Sequence, residues 1–239
     1  PNKVSYESWQ TAIDHLCNFA GTQVTFKEID KIFCVRFMNY LTDNAKMKNG
    51  ENLNPSTISV YYAKFKACLN KAVDEEILLK SPAKGISAPG AIESEREYLN
   101  LNELKKLVKT ECKYEFLKRA FLFSCLTGLR WSDVEKLKWA EVQAGKIVFH
   151  QKKTKGLQYL DISERAGEYL GNPGNPDEKV FTGLKYSVYT TKILQQWIKA
   201  AGITKHITFH CARHTHAILL LTNGVDIYIS PQKSLRSLG

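Results

Sequence analysis

The sequence predicts a mainly α-helical protein with one small β-hairpin, arranged as two domains. Through most of the 239 residues, apolar side chains recur at steps of three and four, the period of an amphipathic helix. The region from Lys146 to Ile162 changes to the period of two that is typical of strands. A polar stretch without periodicity, residues 85–97, separates residues 1–84 from residues 98–239. We therefore predict an α+β fold in which a small helical domain precedes a linker and a larger domain.

Three helices are predicted in the first domain. Residues 5–20 form an amphipathic helix that ends at Gly21, and a second helix runs from about Phe26 to Leu41. A third begins at Pro55 after a cap at Asn54, because proline fits the first helical position. The apolar face of the first helix is expected to consist of Tyr6, Trp9, Ile13, Leu16 and Ala20.

The third helix carries Lys64, Lys66 and Lys71 on its other face. Lysines on one face of a helix usually mark the face that is exposed to solvent. Helical DNA-binding domains also present lysines to the DNA backbone. Both interpretations stay open, and the three lysines are candidate DNA-binding residues.

The second domain begins with two helices and a tight turn. Asn100 and Glu103 form a capping box for the first of them, and the apolar stretch 114–126 predicts a buried second one. After the turn, a capping box of Ser132 and Glu135 is expected to start another helix. Arg130 then precedes a helix N-terminus, where a guanidinium and free backbone N–H groups suit an anion.

The hairpin places three lysines, Lys152, Lys153 and Lys155, at its tip. Their amines can enter a groove or reach a reacting phosphate, and a solvated basic turn is the alternative.

Helices are predicted for residues 164–170, 187–201 and 209–221, the last from the stretch TFHCARHTHA. This stretch holds His210, Arg213, His214 and His216, and residues three and four apart share a helix face. The resulting cationic cluster suits a phosphate, and solvated surface histidines are the alternative.

Composition narrows the class of function. The 34 Lys and Arg outnumber the 24 Asp and Glu, which leaves a net charge of +10 and favours a polyanion, double-stranded DNA first, as partner. No apolar run approaches the roughly 18 residues of a spanning helix, so we expect no membrane attachment. The six cysteines form no C-x-x-C pair, so we expect reduced thiols in a cytoplasmic protein and no metal site.

Three motifs together resemble the tyrosine recombinase (phage integrase) family. They are TGLRWSDVEKLKW (127–139), QKKTK (151–155), and TFHCARHTHA (208–217) followed by LLLTNGVDIY (219–228). They stand in the family's order at its typical intervals, and GVDIY looks especially like integrases of conjugative and mobilisable elements. The resemblance implies a SAM-like core-binding domain, an integrase catalytic domain and a bacterial, nucleoid-associated location.

The resemblance also implies roles for particular residues. Arg130 and Arg213 match the arginines that clamp the scissile phosphate, and His210 matches a histidine that assists proton transfer. His214 matches a position thought to support structure, and we include it among the DNA-binding candidates.

For the hairpin lysines, the resemblance implies that Lys153 is the general acid toward the leaving 5′ oxygen, with Lys155 as second choice. Lys152 and Lys155 are candidate DNA contacts.

The family cuts DNA with a tyrosine, which forms a 3′ phosphotyrosine link without metal or nucleotide cofactor, and it works as a tetramer on DNA. After Arg213 the sequence holds one tyrosine, Tyr228, which stands too early, and the LGH motif that normally precedes the nucleophile is not found. We therefore expect a fragment whose catalytic domain is truncated or altered and inactive as it stands.

Three other interpretations stay open. The chain can be a DNA-binding remnant or competitor that occupies recombination sites without cutting. It can be a type IB topoisomerase-like enzyme, which shares the phosphate-binding residues, or a helical interaction protein with a basic surface.

Overall fold

The computed structural model describes residues 3–90, 96–143, 145–150 and 156–222. The chain divides into a first unit, Pro1–Ser94, and a second unit, Glu95–Gly239. The elements are mostly helices, with one three-stranded antiparallel sheet, so the predicted fold class is confirmed. The division falls within the predicted linker, and the domain bounds 1–84, 85–97 and 98–239 remain predictions. Within the described ranges, no helix has the length and apolar character needed to cross a bilayer.

The first unit contains three helices that pack around one apolar core. They are α1 (Lys3–Ala20), α2 (Lys31–Asp43) and α3 (Pro55–Asp74). Asn54 accepts a hydrogen bond from the Thr57 N–H at 2.8 Å, and Pro55 occupies the first helical position, so the predicted start of α3 is confirmed. Phe37 of α2 and Tyr62 of α3 are fully buried at the centre of this core.

Two predictions for the first unit are wrong. α2 begins at Lys31 rather than near Phe26, because the Asp30 side chain caps the helix by accepting from the Phe33 N–H at 2.7 Å. In α1, Tyr6 and Ile13 are 61% and 47% exposed, so they do not belong to the buried face.

The buried positions of α1 are instead Ala12 and His15. The side of α1 that packs against α2 and α3 is thus rotated from the one that the largest apolar side chains indicate. Close helix packing accommodates small side chains at the contact, which periodicity alone does not reveal.

The second unit alternates helices with one sheet. Its elements are α4 (Leu101–Lys109), α5 (Glu115–Thr127), α6 (Trp131–Val134), β1 (Val142–Gln143), β2 (Lys146–His150), β3 (Leu157–Asp161), α7 (Glu164–Glu168), α8 (Val188–Ala200) and α9 (Cys211–Thr222). The predicted hairpin is β2 and β3, paired antiparallel from Lys146↔Asp161 to His150↔Leu157, and β1 adds a short third strand. The Asn100–Glu103 capping box of α4 is present as predicted.

Helix α5 lies at the centre of the second unit and packs against α7 and α9. Eight of its 13 residues are buried, which explains its almost continuous apolar sequence. Phe121 contacts Trp197 of α8 and Phe209 just before α9, edge to face, with ring centroids 5.9 and 5.6 Å apart. These contacts hold the N-terminal end of α9 close to the loop that follows α5.

Candidate functional site

Arg130 lies in the turn that joins α5 to α6. Gly128 ends α5 with a φ of +69°, a left-handed conformation that glycine adopts without strain. The buried Ser124 hydroxyl donates a hydrogen bond to the Leu129 carbonyl at 2.7 Å. The backbone around Arg130 is therefore held from inside the core.

The predicted capping box of Ser132 and Glu135 is wrong. Helix α6 already begins at Trp131, so Arg130 itself occupies the N-cap position and Ser132 lies within the first turn. Arg130 does immediately precede a helix N-terminus, as predicted, although α6 is only four residues long.

Arg213 lies in the first turn of α9, and its guanidinium contacts the α5–α6 turn that carries Arg130. Its Nη1 donates a hydrogen bond to the Gly128 carbonyl at 2.8 Å. Burial lowers the pKa of Arg213, and the positive charge of Arg130, which lines the same cavity, lowers it further. The carboxylate of Asp133 raises the pKa and so partly offsets both effects.

Both arginines line one cavity of about 280 Å³ between the α5–α6 turn, α8 and the start of α9. Its walls combine apolar side chains with a few polar groups, the usual composition of a binding pocket. The lining residues are Leu117, Leu129, Arg130, Trp131, Tyr186, Thr190, Thr191, Leu194, Thr208, Phe209, His210 and Arg213.

The three histidines of the TFHCARHTHA stretch have different surroundings. His210 is exposed at the cavity and lies in the turn before α9, whose first residue is Cys211, so the helix starts two residues later than predicted. The His214 ring packs edge to face on His210 with centroids 5.0 Å apart. Burial lowers the pKa of His214, and the charges of His210, Arg96 and Arg213 lower it further.

His216 lies on another side of α9, against the α5–α6 turn. A Cβ atom at Gly128 would be 2.6 Å from His216 Cδ2, so glycine is required at this contact. Burial lowers the pKa of His216, which a hydrogen bond with the Cys125 backbone partly counteracts. His216 thus packs beside the site and is not among the residues that line its cavity.

Two residues of this site were not predicted from the sequence. Asp133 is 5% exposed, and its negative charge acts on Arg213. Its position three residues after Arg130 is a usable signal, because a buried carboxylate usually has a cationic partner. Tyr186 also lines the cavity and packs edge to face on Trp131 at 5.6 Å, and we find no sequence signal for it.

The remaining predicted site residues are the three lysines of the hairpin tip and the three lysines of α3. Lys152, Lys153 and Lys155 fall outside the described residues. In the first unit, Lys64 donates to the Ser8 hydroxyl at 2.8 Å and Lys66 to the Ile86 carbonyl at 3.0 Å.

Lys71 forms an exposed ion pair with Glu75 at 3.1 Å. Each of the three lysines on α3 therefore has a contact within the first unit, and their role toward DNA remains a prediction.

Comparisons with known proteins agree with this architecture. The profile of the phage integrase SAM-like domain matches residues 1–88, and that of the phage integrase family matches residues 97–229, more than half of the chain. A tyrosine recombinase of Pseudothermotoga lettingae is 22% identical over 225 residues, which cover 90% of this chain and 76% of the relative. The tyrosine recombinase XerD of Listeria innocua is 27% identical over 197 residues, covering 74% of this chain and 66% of that protein.

Solved structures share the fold. A lambda integrase dimer bound to a COC′ core site aligns with a TM-score of 0.72 at 17% identity, over 95% of this chain and 83% of that one. The Tn1549 transposon integrase, in complex with transposon right end DNA, aligns with a TM-score of 0.72 at 12% identity over the same shares. The family profiles, together with the arginine cavity between α5 and α9, lead to one conclusion: the chain belongs to the phage integrase family of tyrosine recombinases.

Proposed function

We propose that the cavity of the second unit binds a phosphodiester of double-stranded DNA and that the protein acts in site-specific DNA recombination. The observation that supports this most is that Arg130, from the α5–α6 turn, lines one cavity together with His210 and Arg213 from the start of α9. Two guanidinium groups close to each other repel, and a bound anion relieves that repulsion. A phosphodiester, whose one negative charge is shared by two non-bridging oxygens, fits two planar guanidinium donors.

In the proposed mechanism, Arg130 and Arg213 donate hydrogen bonds to the non-bridging oxygens of the scissile phosphate. Negative charge grows on these oxygens as the phosphorus becomes five-coordinate, so donors fixed in advance stabilise the transition state. The Gly128 carbonyl uses one N–H of Arg213 and fixes its orientation, which leaves the remaining donors of the guanidinium for the phosphate. His210, at the mouth of the cavity, assists proton transfer.

We assign to Lys153 the protonation of the leaving 5′ oxygen, in line with the family resemblance of the QKKTK motif. The family's nucleophile is a tyrosine whose oxygen attacks phosphorus, which forms the 3′ phosphotyrosine link and releases the 5′ hydroxyl. Tyr228 is the one tyrosine after Arg213 in the printed sequence, and we assign it no catalytic role. We therefore propose that the site formed by Arg130, His210 and Arg213 binds phosphate, and we assign the nucleophile of DNA cleavage to no residue among 1–239.

Double-stranded DNA and further copies of the same chain are the proposed partners. The net charge of +10 favours a polyanion. The structures that share the fold include a lambda integrase dimer bound to a COC′ core site and a lambda integrase tetramer bound to a Holliday junction. By analogy, we propose that copies of this chain assemble on paired DNA sites.

DNA binding can be tested by fluorescence anisotropy with a short labelled duplex. We expect Arg130→Ala and Arg213→Gln to weaken binding about tenfold to hundredfold, because a charge-assisted hydrogen bond contributes about 1.5–3 kcal/mol. Arg165→Ala is the matched control, since Arg165 is exposed on α7 and does not line the cavity. Equal binding by all three variants would refute the proposed site and would favour a helical interaction protein with a basic surface.

Cleavage is tested separately, with a pool of nicked duplexes of randomised sequence. A nick next to the cleavage point lets a short strand diffuse away and traps any covalent intermediate. We expect shifted bands without a protein–DNA adduct that survives detergent. An adduct would show that the printed residues cut DNA, and relaxation of supercoiled plasmid without strand exchange would indicate a type IB topoisomerase-like activity.

A further inference from the structure

The segment 96–100, which leads into α4, is attached to α9. The backbone N–H of Leu99 donates to the Thr215 hydroxyl at 2.9 Å, and both residues are fully buried. The Tyr98 carbonyl accepts a hydrogen bond from Lys205 Nζ at 3.0 Å, just before α9. This segment therefore has a defined position beside the helix that carries Arg213.

Arg96 is exposed at the start of this segment. It stands three residues before Leu99, so its Cα lies at most about 11 Å from that anchor. Its charge acts on His214, the residue next to Thr215. The anchor at Leu99 and this charge effect together place Arg96 near His214.

A continuous row of basic groups follows from these contacts. Arg130 and Arg213 lie in the cavity, His210 is at its mouth, and His214 packs on His210 at 5.0 Å. Arg96 adds a further basic group near His214. Among the described residues, none of the ion pairs involves Arg96.

The positive charges of neighbouring arginines disfavour one another when no anion is bound between them. A DNA strand carries one phosphate per nucleotide, so a basic surface that holds one phosphate lies near the next one along the strand. An exposed arginine on a fixed backbone is well suited to bind this neighbouring phosphate, since a guanidinium binds phosphate through two parallel hydrogen bonds.

We propose that Arg96 binds the phosphate next to the one held by Arg130 and Arg213, on the His214 side of α9. This proposal rests on the proposed function, because it takes the cavity phosphate as the reference. It makes the segment that enters the second unit part of the DNA-binding surface, and it adds a contact that positions the strand.

The test is the salt dependence of binding to a short fluorescein-labelled duplex, measured by anisotropy for the wild type and four variants. The variants are Arg96→Ala, Arg96→Lys, Arg213→Gln and the control Arg165→Ala. Log affinity falls linearly with log salt, and each lost phosphate contact makes this fall less steep by about 0.9. The affinity at 50 mM salt divided by that at 200 mM salt therefore becomes about 3.5-fold smaller. We expect this fall for Arg96→Ala, with Arg96→Lys close to the wild type and Arg165→Ala unchanged.

The outcomes separate this proposal from the proposed function. An Arg96→Ala slope equal to that of Arg165→Ala, while Arg213→Gln binds weakly, overturns the role of Arg96 and leaves the cavity as the phosphate site. Wild-type behaviour of both Arg96→Ala and Arg213→Gln overturns both proposals. A loss with Arg96→Ala alone overturns the cavity phosphate and, with it, the assignment of Arg96 to the neighbouring one. Thermal unfolding of each variant verifies that the exposed substitutions leave the fold intact.

Discussion

Arg213 of α9 and Gly128 at the end of α5 are joined by a hydrogen bond of 2.8 Å from the guanidinium Nη1 to the backbone carbonyl. On the same turn, the position of a Gly128 Cβ would lie 2.6 Å from Cδ2 of His216, one helical turn further along α9. Helix α9 is thus in close contact with the turn that carries Arg130. The spacing between the two arginines depends on this contact.

Gly128→Ala is expected to destabilise the second unit and to weaken DNA binding. The left-handed φ of +69° costs an alanine about 1–2 kcal/mol, and the clash with His216 adds about 1–3 kcal/mol. Urea unfolding, followed by tryptophan fluorescence, to which Trp131, Trp139 and Trp197 of the second unit contribute, measures the first effect. Anisotropy with labelled duplex measures the second.

The control is Gly202→Ala, at a glycine with a similar φ of +72° and no atom within 4 Å of the added Cβ. It should lose only the conformational part, about 1–2 kcal/mol, and keep DNA binding. If both variants lost the same free energy of unfolding, the close approach of α9 to the turn would be wrong.

Thr215→Val is expected to lower the free energy of unfolding by about 1–3 kcal/mol, because it leaves the buried Leu99 N–H without its acceptor. Valine keeps the shape of threonine, so packing changes little. Thr215→Ser keeps the hydroxyl and loses one methyl group, a cost of about 0.8 kcal/mol. Chemical denaturation compares the two variants, and a serine variant less stable than the valine variant would contradict the role of the hydrogen bond.

Acid is expected to destabilise the second unit through His216. Its pKa in the folded protein is lowered by burial, whereas an unfolded histidine titrates near about 6.5. The unfolded state therefore binds more protons as the pH falls below about 6.5, and the free energy of unfolding decreases toward the lower folded pKa. Above about pH 6.5, where His216 is neutral in both the folded and the unfolded state, the free energy of unfolding does not lose this contribution.

His216→Gln should reduce this acid sensitivity between pH 7.5 and 5.5, although part of it remains because burial also lowers the pKa of His214. Urea unfolding at the two pH values measures the difference. An unchanged pH dependence in the glutamine variant would show that His216 does not contribute.

Glu76→Gly is expected to stabilise the first unit by about 0.5–1 kcal/mol. Glu76 follows α3 with a φ of +60°, and its N–H bonds the Val73 carbonyl while that of Ile77 bonds Ala72, the hydrogen bonds of a Schellman C-cap. Glycine adopts this conformation without strain, which outweighs the entropy that it adds to the unfolded chain.

Asp74→Gly, at the last helical residue of α3, is the matched control and should destabilise by about 0.5–1 kcal/mol. Thermal unfolding followed by circular dichroism orders the two variants. A melting temperature for Glu76→Gly at or below that of Asp74→Gly would contradict the left-handed conformation of Glu76.

Local signals in the sequence predicted local features correctly. The caps at Asn54 and Asn100 and the hairpin of β2 and β3 involve hydrogen bonds or pairing between residues close in the chain. Two of the predictions that are wrong concern which residue caps a helix. The Asp30 side chain caps α2 at Lys31, and the N-cap at Arg130 leaves Ser132 inside α6.

Residue types and their spacing are enough to indicate a basic, mainly helical chain with integrase motifs, and they point to Arg130, His210 and Arg213. Those inferences depend on residue type and spacing, which remain the same in any conformation. The tertiary structure decided which groups surround these residues. The burial of Asp133, the contact of Arg213 with Gly128 and the approach of Arg96 to His214 join parts of the chain that lie far apart or whose burial depends on packing. Packing between α5 and α9 brings these groups together, and the spacing of residues in the chain does not predict this packing.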